Sequence, residues 1–282
     1  FKNRGSHVVV DFHYPNIRFL LAFVLLKFIN ADVRLSLWGS DLLKVSGFKL
    51  RILRYMVKNC GSISVASKAI ADIVVSSFEI DYGRVYVAPF RIPQIESFLS
   101  VGVSVDRPVG DGLITVLCGT NGSDNQQFPS IVNAINFLSV VALQKAIFLF
   151  HMAYGGDKTK YILGAACSAA VLRFDCCFYS GVDLVEFRRS AQVLVQVQKT
   201  DQLSAAMIEH LALGAVVITG SWLPYKDLLD SGVYMYLINN VDELAHAIDD
   251  VLCNYSHYAN LCSKNKGILS GLFSGDSVDE RW

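Results

Sequence analysis

Residues 200–225 read TDQLSAAMIEHLALGAVVITGSWLPY and set two carboxylates, Asp201 and Glu209, on either side of the start of an apolar helix. Ser204 is a favourable N-cap, because its hydroxyl can accept from a first-turn amide. Met207, Ile208, Leu211 and Ala212 fall on one helical face. Gly214 closes the helix, and residues 215–219 read as a short buried strand. The segment is therefore a loop–helix–strand unit of an α/β domain. Taken alone, it asks nothing of the two acids beyond solvation.

Working outward, apolar strands alternate with helical patterns along the whole chain. Strands are expected at 7–12, 33–38, 62–66 and 84–88, with helices at 17–29, 48–60 and 67–78 between them. After a proline-containing stretch, residues 90–112, the series restarts. Strands at 113–118, 146–151, 173–179, 192–197 and 233–238 join the strand at 215–219, and helices at 129–143, 159–171, 183–190, 222–230 and 242–255 join the opening helix. Such β-α alternation predicts parallel sheets with right-handed crossovers. The expected architecture is α/β, two Rossmann-like domains facing a cleft: 1–103, 104–265, and a C-terminal tail, 266–282, packing back on the first domain. In such sheets ligands sit beyond the carboxyl ends of the strands.

Composition narrows the function classes. Lys+Arg and Asp+Glu balance at 25 each, which offers no basic surplus for nucleic acid. Hydrophobic residues make up 52% of the 282, enough for a sizeable core. The seven cysteines are odd in number and form no C-x-x-C pair, so reduced thiols in the cytoplasm are expected. IRFLLAFVLLKFI, residues 17–29, is too short to span a bilayer and is bracketed by Arg18 and Lys27; it reads as a buried core helix, with membrane-surface contact as the second reading. G-x-G-x-x-G, the P-loop, H-E-x-x-H, G-x-S-x-G and D-x-D are all absent, and the histidines are scattered. No metal site and no cofactor are expected.

DQLSAAMIEHLALGAVVI resembles the E-x7-E segment of nucleotide-sugar glycosyltransferases of the GT-B fold, the group-1 glycosyltransferase family. Asp201 stands at the first acid, Glu209 at the second and Gly214 at the glycine. VVVDFHYP, VRLSLWGSD, SISVASKAIADIVV and YGRVYVAPF are similar to the family's N-terminal segments, in the same order. The resemblance implies transfer of a sugar from a nucleotide-sugar donor, a substrate and not a cofactor, to a glycan or lipid-linked acceptor. It implies a metal-independent reaction, retention of configuration, and a role in surface polysaccharide or glycolipid assembly at the inner face of the cytoplasmic membrane. The family's opening strand would precede Phe1, so the first domain reads as incomplete. Two other readings stay open: a nucleotide-sugar epimerase of the same fold, and a non-catalytic binding or assembly protein.

The resemblance assigns roles residue by residue. Glu209 would accept from the ribose hydroxyls; charge-assisted bonds of this kind contribute about 1.5–3 kcal/mol each. The amides near Ser204 and Ala205 would meet the diphosphate at the positive end of the helix dipole. Asp201 would act on the transferred sugar, where the family usually has Glu. Lys199 would add a cation or stand solvated in its loop. The family's Arg and Lys after the 113–118 strand are missing, leaving Gly119, Thr120 and Asn121 as neutral donors. In HMAYGGDKTKY, Lys158 and Lys160 would supply the missing charge, and Tyr154 would join the donor site. On the acceptor side, His13 ends one strand and is, with Asp201, the catalytic candidate, and Trp38, Gly39, Ser40 and Asp41 follow another; the alternative for Trp38 and Asp41 is a core ring and a helix cap.

Overall fold

A computed structural model describes residues 8–88, 92, 95–101, 112–155 and 170–273. The expected helix at 159–171, Lys158, Lys160, Cys167, the 103/104 boundary and residues 274–282 lie outside, or largely outside, this set.

The first half comprises β1 (Val9–His13), a 3-10 turn (Ile17–Phe19) running into α1 (Leu20–Phe28), β2 (Asp32–Ser36), α2 (Ser40–Leu43), α3 (Gly47–Asn59), β3 (Ser62–Val65), α4 (Lys68–Phe78) and β4 (Val85–Val87). The strands lie in the order β1-β2-β3-β4, all parallel. Leu35, Ile63, Met56 and Val74 centre its core. Ser67 caps α4 by accepting from the Ile70 amide, and Glu79 closes it in the left-handed conformation. The buried reading of residues 17–29 is corrected here. Only Phe23 of α1 is buried, against Phe12 and Tyr55, while Leu21, Leu25 and Phe28 face outward. Hydropathy alone cannot say what a helix face meets.

The second half comprises α5 (Ile95–Ser100), β5 (Ile114–Cys118), α6 (Phe128–Asn136), α7 (Val140–Lys145), β6 (Ala146–His151), β7 (Val171–Asp175), α8 (Gly181–Arg189), β8 (Val193–Gln196), α9 (Ala205–Ala212), β9 (Val216–Gly220), α10 (Lys226–Asp230), β10 (Tyr236–Ile238), α11 (Leu244–Cys253), α12 (Tyr255–Cys262) and α13 (Asn265–Phe273). Its sheet runs β10-β9-β8-β5-β6-β7, with every pair parallel. Chain direction across the sheet reverses between β5 and β8, so the doubly-wound switch point, where ligands bind, lies between them.

Several expected boundaries move for local reasons. The single helix at 129–143 is two, because Ser139 accepts from the Ala142 amide and starts a new cap. The strand expected at 173–179 ends at Asp175, whose carboxylate takes the Cys177 amide in a turn. The proline-containing stretch holds α5, which buries Ile95 and Phe98 beside Met207 and Leu211 of α9. Leu269 and Phe273 of α13 join the same cluster. The two halves touch where a Cβ on Gly39 would stand 2.7 Å from Gln202 Cβ, and where the Lys68 amide donates to Asp227 at 2.6 Å.

Candidate active site

A cavity of about 500 Å³ lies between the two sheets at this switch point. One wall comes from the first half: Trp38, Gly39, Leu43 and Lys44. The other comes from the ends of β5, β6 and β8 and from α8 and α9: Thr120, Asn121, His151, Tyr154, Tyr179, Arg188, Thr200, Asp201, Ser204, Ala205 and Glu209.

The quoted stretch builds the floor. β8 is buried at every position and delivers the chain to Asp201 at its carboxyl end. Ser204 caps α9 by accepting from the Met207 amide, so Asp201 is not the cap. Ala205 and Ala206 begin the helix at the cavity, and first-turn amides have no helical carbonyl to bond. Gly214 takes a φ of 80°, which lets α9 end and β9 begin without strain.

Asp201 is held from two sides. Its Oδ1 accepts from the Gln202 amide at 2.9 Å, and its Oδ2 accepts from the hydroxyl of buried Tyr225. Burial pushes its carboxyl up; the Tyr225 bond and the Lys44 cation across the cleft pull it back. Tyr225 is raised well above the usual phenol range by burial and by the same carboxylate, so it stays protonated and donates.

Glu209 is buried and receives the Nε of buried Arg188 at 3.1 Å. Burial raises its carboxyl and Arg188 opposes the rise. The Nη1 of Arg188 is buried without a hydrogen-bond partner. Beside it, Tyr179 stacks on Phe187 at 4.5 Å, and Phe178 projects into solvent at the cavity edge. His151 lies 4.6 Å from the Phe187 ring, and burial lowers its imidazole.

The loop after β5 differs from expectation. The Gly119 amide is spent on the Val195 carbonyl at 3.1 Å, and the Thr120 amide on Gln126 at 3.2 Å. Gly119 does not line the cavity; Thr120 and Asn121 do. Lys199 is exposed outside the cavity lining, its amide tied to the Asn125 carbonyl. Tyr154 lines the cavity and is half exposed, its carbonyl accepting from the Gly122 amide. Among the described residues Lys44 and Arg188 are the Lys and Arg side chains lining this cleft, and neither stood out in the sequence.

On the opposite wall, Trp38 stacks on Tyr14 with ring centroids 5.3 Å apart. Its indole N–H donates to His13 Nδ1 at 3.2 Å, and His13 Nε2 lies 3.9 Å from Asp11. His13 thus stands behind Trp38, outside the cavity lining. Asp41 also stands back: its Oδ1 accepts from the Trp38 amide, and burial raises its carboxyl to about 6. Its Oδ2 is buried and unpaired. Asp41 is not the cap of α2 either, because it lies inside the helix behind Gly39, the N-cap, which makes no side-chain cap bond; Trp38 is half-buried and does reach the cavity. Among the described residues no three His, Cys, Asp or Glu side chains converge as a metal-binding group.

Solved structures match this chain over nearly its whole length. HepE of Anabaena in complex with UDP superposes with a TM-score of 0.71 at 11% identity, covering 93% of this chain and 74% of HepE. The fold is GT-B. The UDP-forming trehalose-phosphate synthase of Burkholderia xenovorans gives 0.71 at 12% identity, over 96% of this chain and 72% of that one. Sucrose-phosphate synthase of Thermosynechococcus elongatus gives 0.65 at 14%, over 96% and 70%. At these identities the likeness is one of GT-B architecture. No protein-family model matches the sequence, and no curated protein matches it.

Proposed function

We propose that this GT-B chain is a glycosyltransferase that moves a sugar from a nucleotide-sugar donor to a glycan or lipid-linked acceptor, in surface polysaccharide or glycolipid assembly. The observation that carries the reading is the shared wall at the switch point: Asp201, the N-terminal turn of α9 and Glu209 line one cavity, facing Trp38 and Lys44. This is the order in which a sugar, a diphosphate and a ribose would need partners.

The difficult step is departure of the nucleoside diphosphate, which gains negative charge as the glycosidic bond breaks. The amides at Ala205 and Ala206 and the α9 dipole are fixed donors for that charge, and Lys44 and Arg188 are cations at the same cleft. This arrangement supports a metal-independent reaction. Glu209 would share its carboxylate between Arg188 and the ribose diol. Tyr179, Leu184 and Phe178 offer the base an apolar edge. Asp201, the shorter acid, is held by Tyr225 and would accept from hydroxyls of the transferred sugar. Retention of configuration, with the donor's own phosphate oxygen taking the acceptor proton, is the course the family resemblance implies. HepE was crystallised with UDP-glucose, which makes uridine diphosphate sugars the first donors to test.

The test is release of nucleoside diphosphate from sugar nucleotides, followed chromatographically, with and without candidate acceptors. Wild-type protein should release it, and Asp201→Asn should not. A chain that binds sugar nucleotides but never cleaves them would favour the non-catalytic reading, and turnover to an epimeric donor would favour the epimerase.

A further inference from the structure

Arg188 brings to the cavity a hydrogen-bond donor that no described residue uses. It lies in the last turn of α8 and is 6% exposed, yet it lines the cavity. Its Nε is spent on Glu209 at 3.1 Å, while its Nη1 is buried with no partner among the described residues. Leaving a buried N–H unmade costs more than a typical made bond contributes, so such a group marks a place where a ligand atom belongs. The guanidinium is also held in place. Its carbon stands 5.7 Å from the centre of the Phe187 ring, and Phe187 stacks on Tyr179.

Its place in the cavity decides which part of a sugar nucleotide would meet it. Glu209 lies one helical turn beyond the first amides of α9, about 6 Å along the axis. A diphosphate at those amides and a ribose at Glu209 leave the base for the α8 wall. That wall is the apolar one: Leu184, one turn before Arg188, lines it with Phe178 and Tyr179, which lead into the helix. Charge points the same way. Arg188 and Glu209 already neutralise each other in a buried pair, and a second anion there would leave excess negative charge away from water. A neutral carbonyl oxygen satisfies Nη1 without that cost. Uracil and guanine offer ring carbonyls to an arginine edge. Adenine has none, and its exocyclic amine sets donor against donor.

We infer that Arg188 reads the nucleobase of the donor, its Nη1 donating to a ring carbonyl, and that the site thereby selects uridine or guanosine diphosphate sugars against adenosine diphosphate sugars. This names the donor class of the proposed transferase and rests on that reading. The planar fork matters as much as the charge. With Nε fixed on Glu209, the direction of Nη1 is fixed too, so the donor meets only a base that places an acceptor on that line. A lysine could pair with Glu209 but would carry no second N–H held in that direction.

Calorimetric titration of the full chain and of Arg188→Lys with uridine, guanosine and adenosine diphosphates tests the inference. The wild type should bind one of the first two about tenfold or more tighter than adenosine diphosphate, as one hydrogen bond from a charged donor implies. Arg188→Lys should lose that preference through weaker binding of the preferred nucleotide, with adenosine diphosphate affinity unchanged. If circular dichroism shows that the variant does not fold, the wild type alone decides. Replacing each ring carbonyl oxygen of the preferred base by sulfur, a poor acceptor, should cost affinity at one position. Three results overturn the inference: adenosine diphosphate bound as tightly as the others, losses in folded Arg188→Lys that are absent or equal for all three nucleotides, or full affinity for every sulfur-substituted base. Equal losses would assign Arg188 to the phosphates or the ribose. Each of these results includes nucleotide binding and so leaves the transferase reading standing, whereas a wild type that binds no nucleotide overturns both.

Discussion

Tyr225→Phe removes one hydroxyl, and its consequences can be worked through from the structure. In the wild type that hydroxyl donates to Asp201 Oδ2 inside a buried pair, and only the Gln202 amide and the distant Lys44 cation also favour the ionised acid. Burial already raises Asp201. A charge-assisted hydrogen bond is worth about 1.5–3 kcal/mol, and each pH unit of displacement corresponds to about 1.4 kcal/mol. Loss of the bond should therefore raise Asp201 further, by removing that much of the preference for its ionised form. In the proposed reaction Asp201 would serve the transferred sugar only when ionised, so the acid limb of the transfer rate should move upward accordingly. Nucleoside diphosphate affinity should not change, because that ligand lacks the sugar. The assay is initial transfer rate at saturating donor from pH 5 to 9, with calorimetry of the bare diphosphate on the same samples. Superimposable acid limbs would refute the claim that Tyr225 sets the state of Asp201.

Asp201→Asn should depress transfer strongly and leave diphosphate affinity unchanged, whereas Asp201→Glu should alter donor preference; a variant with lowered melting temperature and normal transfer would make Asp201 scaffolding. Arg188→Met leaves the Glu209 carboxylate buried alone and should cost about 3 kcal/mol in denaturant unfolding, part of it recovered by adding Glu209→Gln. Burial raises Asp41 from an ordinary 3.8 to about 6, so the folded protein keeps a proton that the unfolded chain has released. The stability this gives is full below about pH 4 and is lost as pH rises through about 6, some 3 kcal/mol at most; thermal melts of wild type should fall relative to Asp41→Asn across that window. Transfer should survive excess chelator; complete loss restored by magnesium or manganese would show that the diphosphate has a metal partner.

The alternation of β and α elements was legible because it depends on local periodicity, and β6 falls where residues 146–151 were expected. The helix at 129–143 was over-extended because a hydrophobic pattern continues through Ser139, and only the cap geometry reveals the break. The two acids could be found from spacing, since both sit on one loop–helix unit. Their partners could not. Arg188 lies on another helix from Glu209, and Tyr225 beyond a strand from Asp201, so each pairing exists only once the sheet is assembled. Lys44 reaches the site from the other half of the chain. Gly119 and Thr120 were plausible donors until the fold spent their amides on Val195 and Gln126. The outward stripe of α1 was hidden for the same reason, as composition records apolarity but not the surface it faces.

In the proposed function Glu209, at the end of the cavity shared with Asp201 and α9, holds the ribose of a nucleoside diphosphate. Calorimetric titration of folded wild type and Glu209→Gln with uridine, guanosine and adenosine diphosphates tests it most directly. The wild type should bind at least one nucleotide saturably, and Glu209→Gln should lose about tenfold or more in affinity, as removal of a charged hydrogen bond implies. Absence of binding by the wild type, or equal affinity in the two proteins, would contradict it.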